Sequence, residues 1–84
     1  MANLNPKKFN LSSKIKLKKD EKGIFIILER KSRIIMKDGR RLLGIVKKIK
    51  EIEPNERISV LSSAPICSKT KYFLFQNGVC IQSV

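Results

Sequence analysis

The stretch DGRRLLGIVKKIKEIE, Asp38 to Glu53, decides how the chain folds. Leu42, Ile45, Val46, Ile49 and Ile52 recur at three- and four-residue steps and form one apolar stripe. Arg40, Arg41, Lys47, Lys48 and Lys50 lie mostly off it. The spacing predicts an amphipathic helix. Asp38 reads as its N-cap, because a carboxylate there accepts an amide left unpaired in the first turn. Pro54 ends it, since proline disfavours the helical region for the residue before it. The charge order opposes the helix dipole, with arginines in the first turn and glutamates in the last. Packing of the stripe overrides a cost of about 0.3–1 kcal/mol per misplaced charge. An anionic partner would account for the arginines.

Upstream, Ser13 to Lys19 alternates. Ile15 and Leu17 face one way, and Lys14, Lys16 and Lys18 the other, as in a half-buried strand. Asp20-Glu21-Lys22-Gly23 is a turn, with Gly23 supplying positive φ. Ile24 to Leu28 is an unbroken apolar run and reads as a strand covered on both faces. The two strands form a hairpin. Arg30, Lys31 and Arg33 make a basic exit from it. Ile34, Ile35 and Met36 fit a strand extension, a separate short strand or an earlier helix start. Residues 1–10, rich in Asn and Lys, read as a mobile basic arm, with Phe9 and Leu11 docking its end.

Downstream, Arg57 to Leu61 is a short strand. Residues 66–76 admit a helix ended by a left-handed Gly78 or half of a hairpin across Asn77-Gly78. Pro65 and the strand-poor Ser68-Lys69-Thr70-Lys71 favour the helix, followed by a strand over 79–83. The expectation is a small α/β domain over residues 11–84; α+β is the other form it admits. The order is β-β-α-β-α-β: a mixed four-stranded sheet with the helices packed on it.

Eighty-four residues bury one core. The chain has no His and no Trp. The usual general base and the commonest metal ligand are therefore missing, and no metal site, cofactor or catalytic residue is expected. Cys67 and Cys80 make neither a metal spacing nor a disulfide framework. No apolar run reaches membrane-spanning length, and Met1 to Asn10 lacks a signal-peptide core. The expected location is the cytoplasm.

Net charge is +12. Residues 1–50 hold sixteen Lys or Arg against four acids; residues 51–84 hold three against three. All the excess thus lies in the first fifty residues, which points to a polyanionic partner: RNA, slightly favoured, DNA, an acidic membrane surface or an acidic protein. The residues expected to form that face are Lys14, Lys16, Lys18, Arg30, Lys31, Arg33, Arg40, Arg41, Lys47 and Lys48. Phe9, Phe25, Tyr72, Phe73 and Phe75 mostly read as core, so recognition of the phosphate backbone or of shape is expected rather than base stacking.

Two resemblances bear on chemistry. Ala64-Pro65-Ile66-Cys67-Ser68-Lys69-Thr70-Lys71, with Gly78-Val79 further on, resembles the first strand–helix–strand of glutaredoxins in the thioredoxin-like superfamily. Ala64 stands where that family has its nucleophilic cysteine, and Cys67 matches the second. The resemblance implies a redox protein using Cys67, and a thiol at a helix start beside Lys69 and Lys71 is expected to have a lowered pKa. Cys80 is expected in the core. Asp20 with Glu29-Arg30-Lys31 resembles the Asp…Glu-x-Lys core of a nuclease superfamily, which would hold Mg²⁺ between two carboxylates.

Overall fold

The computed structural model describes residues 2–29 and 31–83. It is an α+β domain with one mixed sheet and two helices. The strands are β1 (Ala2–Leu4), β2 (Lys16–Asp20), β3 (Gly23–Leu28), β4 (Ile58–Ser62) and β5 (Cys80–Ser83), in spatial order β1-β2-β3-β4-β5. β1, β2 and β3 pair antiparallel, and β3, β4 and β5 pair parallel. Helices α1 (Met36–Ile52) and α2 (Ser68–Gln76) are the two crossovers.

The sheet has five strands, one more than expected. The additional strand comes from the segment read as an arm: Ala2, Asn3 and Leu4 pair with Lys19, Lys18 and Leu17. Three residues carry no usable alternation, so only the pairing reveals a strand there. Pro6–Phe9 then makes a 3-10 turn, with the Asn5 carboxamide accepting the Lys7 amide. Phe9 is fully buried and Leu11 nearly so.

Both crossovers step the same way along the sheet. Crossovers of one hand that do so lay their helices on the same face. Accordingly α1 and α2 touch: Gly39 of α1 lies against Thr70 and Phe73 of α2. The register shows which sheet face they cover. Leu17, Ile26, Val60 and Ile81 are cross-strand neighbours, and all four are buried. The next row, Lys18, Phe25, Ser59 and Cys80, belongs to the opposite face, which neither helix covers. β3 is therefore covered on one face, not two. Ile24 and Ile26 are buried, while Phe25 and Ile27 are only half-buried. Cys80 is exposed rather than in the core, because it lies on the open face of an edge strand.

Gly23 closes the β2–β3 turn at φ +133°, and a Cβ there would collide with the Arg57 carbonyl. The same carbonyl accepts the Ile24 amide at 2.8 Å, tying the loop after α1 to β3. α2 ends as expected. Gly78 has φ +76°, its amide bonds Phe75 O at 3.0 Å, and the Val79 amide bonds Leu74 O at 2.9 Å. That is a Schellman stop, with Val79 and Leu74 both buried beside it.

Candidate nucleic-acid interface

α1 begins two residues before Asp38. Asp38 therefore sits in the first turn instead of at the cap, and its Oδ2 accepts the Ile35 amide at 3.1 Å. Leu42, Val46 and Ile49 turn inward with Gly39. At about 100° per residue the opposite side carries Lys37, Arg40, Arg41, Lys47 and Lys48, all exposed. Gly44 lies in the middle of this row, with nothing within 4 Å of where a Cβ would be. Glu51 closes the row at its C-terminal end.

The row works against the helix that carries it. Lys37 faces Arg40 and Arg41 at three- and four-residue spacing, which costs about 0.2–0.5 kcal/mol per like-charged pair. Three cations in or near the first turn also oppose the dipole. Three of the acids pair elsewhere: Glu53 with Lys8 (3.5 Å), Glu29 with Lys16 (3.1 Å) and Glu56 with Lys19 (3.1 Å). Among the described residues none forms an ion pair with the α1 row. Lys37 was not among the expected contact residues, because the helix was expected to begin after it. The signal was Asp38 itself, whose carboxylate reaches back three residues.

Beside this row is a cleft of about 410 Å³ at the C-terminal end of β3. Ile15, Ile26, Leu42 and Ile45 make its apolar floor, and Lys14, Lys16 and Arg41 stand around it with Glu29 and Asp38. Lys14, Lys16 and Arg41 thus line one cleft, although Lys16 lies on the same side of β2 as Lys18 and pairs there with Glu29. Lys18 projects from the uncovered sheet face, across the sheet from α1 and beside Phe25. Lys31 and Arg33 are exposed in the segment between β3 and α1. Arg30 lies outside the described residues.

Arg33 belongs to a second locality. Ile34 and Ile66 form an isolated parallel bridge. The Ile34 amide bonds Pro65 O and the Cys67 amide bonds Ile34 O, both at 2.9 Å. This fixes Cys67 as the N-cap of α2. The backbone amides of Lys69 and Thr70 hold its thiol below the ordinary cysteine range, outweighing the opposing effect of burial, and the Arg33 charge lowers it a little further. Ala64, at the position of the first cysteine in the glutaredoxin pattern, is buried. Cys67 therefore has no thiol neighbour there, and the dithiol pair of that family is not assembled.

The nuclease-like set is not assembled either. Asp20 sits at the β2–β3 turn, where its Oδ1 accepts the Lys22 amide at 2.7 Å. Glu29 follows the other end of β3 and pairs with Lys16. At about 3.4 Å per residue the two carboxylates are roughly 15–20 Å apart, too far to share one cation.

No known protein family, characterised protein or solved structure matches the chain. No helix among the described residues is long and apolar enough to cross a membrane.

Proposed function

We propose that this chain is a small cytoplasmic binding domain, without catalytic chemistry of its own, that engages nucleic acid through the outward side of α1. One observation carries the reading: Lys37, Arg40, Arg41, Lys47 and Lys48 share a helix side on which none of them has an acid partner among the described residues. A phosphate backbone supplies the missing counter-charge, and Arg40 and Arg41 suit it because guanidinium grips phosphate oxygens in pairs. Gly44 leaves the centre of the row low, so a backbone can approach the helix closely. RNA is favoured over duplex DNA. The cleft beside Arg41 offers an apolar recess, and single-stranded RNA can turn a base out of its stack.

Fluorescence anisotropy with mixed-sequence RNA and DNA tests this. Five phosphate contacts to a single strand imply a loss of about 10²-fold in affinity between 50 and 200 mM salt. Binding that is absent at low salt, or flat across that range, rejects the reading and leaves an acidic protein as the partner to seek.

A further inference from the structure

The largest exposed apolar side chains lie at the opposite end of the sheet from the N-terminal strand. Tyr72 is 60% exposed and Phe75 71%, three residues apart on α2. Between α2 and β5 runs a groove of about 440 Å³ lined by Tyr72, Phe75, Val79, Ile81 and Lys71. β5 is an edge strand. Among the described residues its only pairing is with β4, so its outer edge offers backbone groups to a further strand. We infer that this edge is a self-association surface, on which a second copy of the chain pairs β5 with β5 antiparallel and packs α2 against α2.

Charge selects the occupant. A molecule of net charge +12 meets another copy of itself most easily where it carries no excess, and residues 51–84 are balanced at three cations against three acids. Lys71 is the only charged residue lining the groove. The other sheet edge is guarded: β1 pairs against Lys18 and Lys19, and lysine beside an edge discourages strand addition. An acidic partner would be drawn to α1 and not to this neutral end. Geometry agrees with charge. A two-fold axis normal to the sheet makes an edge strand its own complement, so each copy supplies the same residues to the contact. It also keeps the helices of both copies on one side, which places two α1 rows on a common surface.

The area is sufficient for a reversible dimer. Buried aromatic side chains contribute about 150–250 Å² each, so the exposed parts of four aromatics supply roughly 500 Å². The paired strands and groove walls add the remainder toward the about 1,200 Å² of a specific interface.

Sedimentation velocity without nucleic acid, in reducing buffer so that Cys80 forms no disulfide, tests the inference. From micromolar to submillimolar loading the chain is expected to pass from monomer to dimer. Salt should strengthen the association, because it screens repulsion between the two copies; nucleic-acid binding has the opposite dependence. Phe75→Glu and Tyr72→Glu should each weaken the dimer about 30-fold, the usual consequence of losing a central aromatic anchor. Both residues are exposed, and circular dichroism checks that each variant stays folded. A monomer at every concentration overturns the inference. So does a dimer that persists undiminished in either folded variant, since association would then use another surface.

Discussion

Gly39 of α1 and Thr70 of α2 meet so closely that a methyl group on the glycine would stand 2.8 Å from Thr70 Cγ2. Thr70 is fully buried and β-branched, so it cannot swing aside. The two helices thus cross where one has no side chain. Their contact fixes the layer that leaves one sheet face bare and turns the cationic row outward.

Gly39→Ala should therefore destabilise the fold by about 1–3 kcal/mol, as overpacking of a tight core does. Gly44→Ala should do the reverse. Its added methyl meets nothing within 4 Å, and alanine in a helix interior is better than glycine by about 0.5–1 kcal/mol. Urea denaturation of the two variants should move the midpoint in opposite directions. Thr70→Ser removes the clashing methyl, so the double variant with Gly39→Ala should lose less than the sum of the single losses.

Phe9 tests whether the N-terminal segment belongs to the core. It is 1% exposed although it ends a 3-10 turn preceded only by a three-residue strand. Phe9→Ala should cost about 3–5 kcal/mol, a large share of the stability of a domain this small. A thermal midpoint unchanged by the substitution would mean that the segment contributes little to the fold.

The charge row makes a quantitative prediction. Lys47→Gln with Lys48→Gln removes two cations from α1 and should flatten the plot of log affinity against log salt by about 1.4–1.8 units. Lys19→Gln is the control. Lys19 already pairs with Glu56 and lies away from α1's outward side, so the slope should be unchanged. Anisotropy titrations at four or five salt concentrations read both.

Cys67 should alkylate with its half-maximal rate at a lower pH than free cysteine, because the Lys69 and Thr70 amides favour its thiolate. Arg33→Gln should move that midpoint upward. The sign for stability follows from linkage. A folded-state pKa below the unfolded one stabilises the fold at pH above the unfolded value, and that contribution is lost as pH falls through the folded value. Cys67→Ser should therefore narrow the stability difference between alkaline and neutral pH. Iodoacetamide kinetics and denaturation at two pH values measure the two effects.

The local signals were legible in the chain. Of the stripe Leu42, Ile45, Val46, Ile49 and Ile52, α1 buries Leu42, Val46 and Ile49 and half-buries Ile45, while Ile52 in its last turn is exposed. Gly78 stops α2 in the left-handed conformation, as a helix-terminating glycine should. The order from the hairpin onward, β-β-α-β-α-β, also follows from residues close together in sequence. Which of the aromatic residues enter the core was not legible: Phe9 does and Tyr72 and Phe75 do not, because aromatic character does not reveal which side of a short helix faces inward. Only the packing of Leu74 and Thr70 decides that.

The sequence by itself determined where the chain turns, which segments coil and which extend, and that the positive charge is confined to the first fifty residues. These are properties of neighbours along the backbone, set by periodicity, by proline and glycine, and by simple counting. Tertiary structure alone decided that Ala2–Leu4 joins the sheet, that both helices share one face, that Lys14, Lys16 and Arg41 line one cleft, and that Asp20 and Glu29 lie at opposite ends of a hairpin. Each of these depends on pairing between residues distant in the chain. Such pairing is fixed by what the whole core can bury together, and no local pattern carries that information.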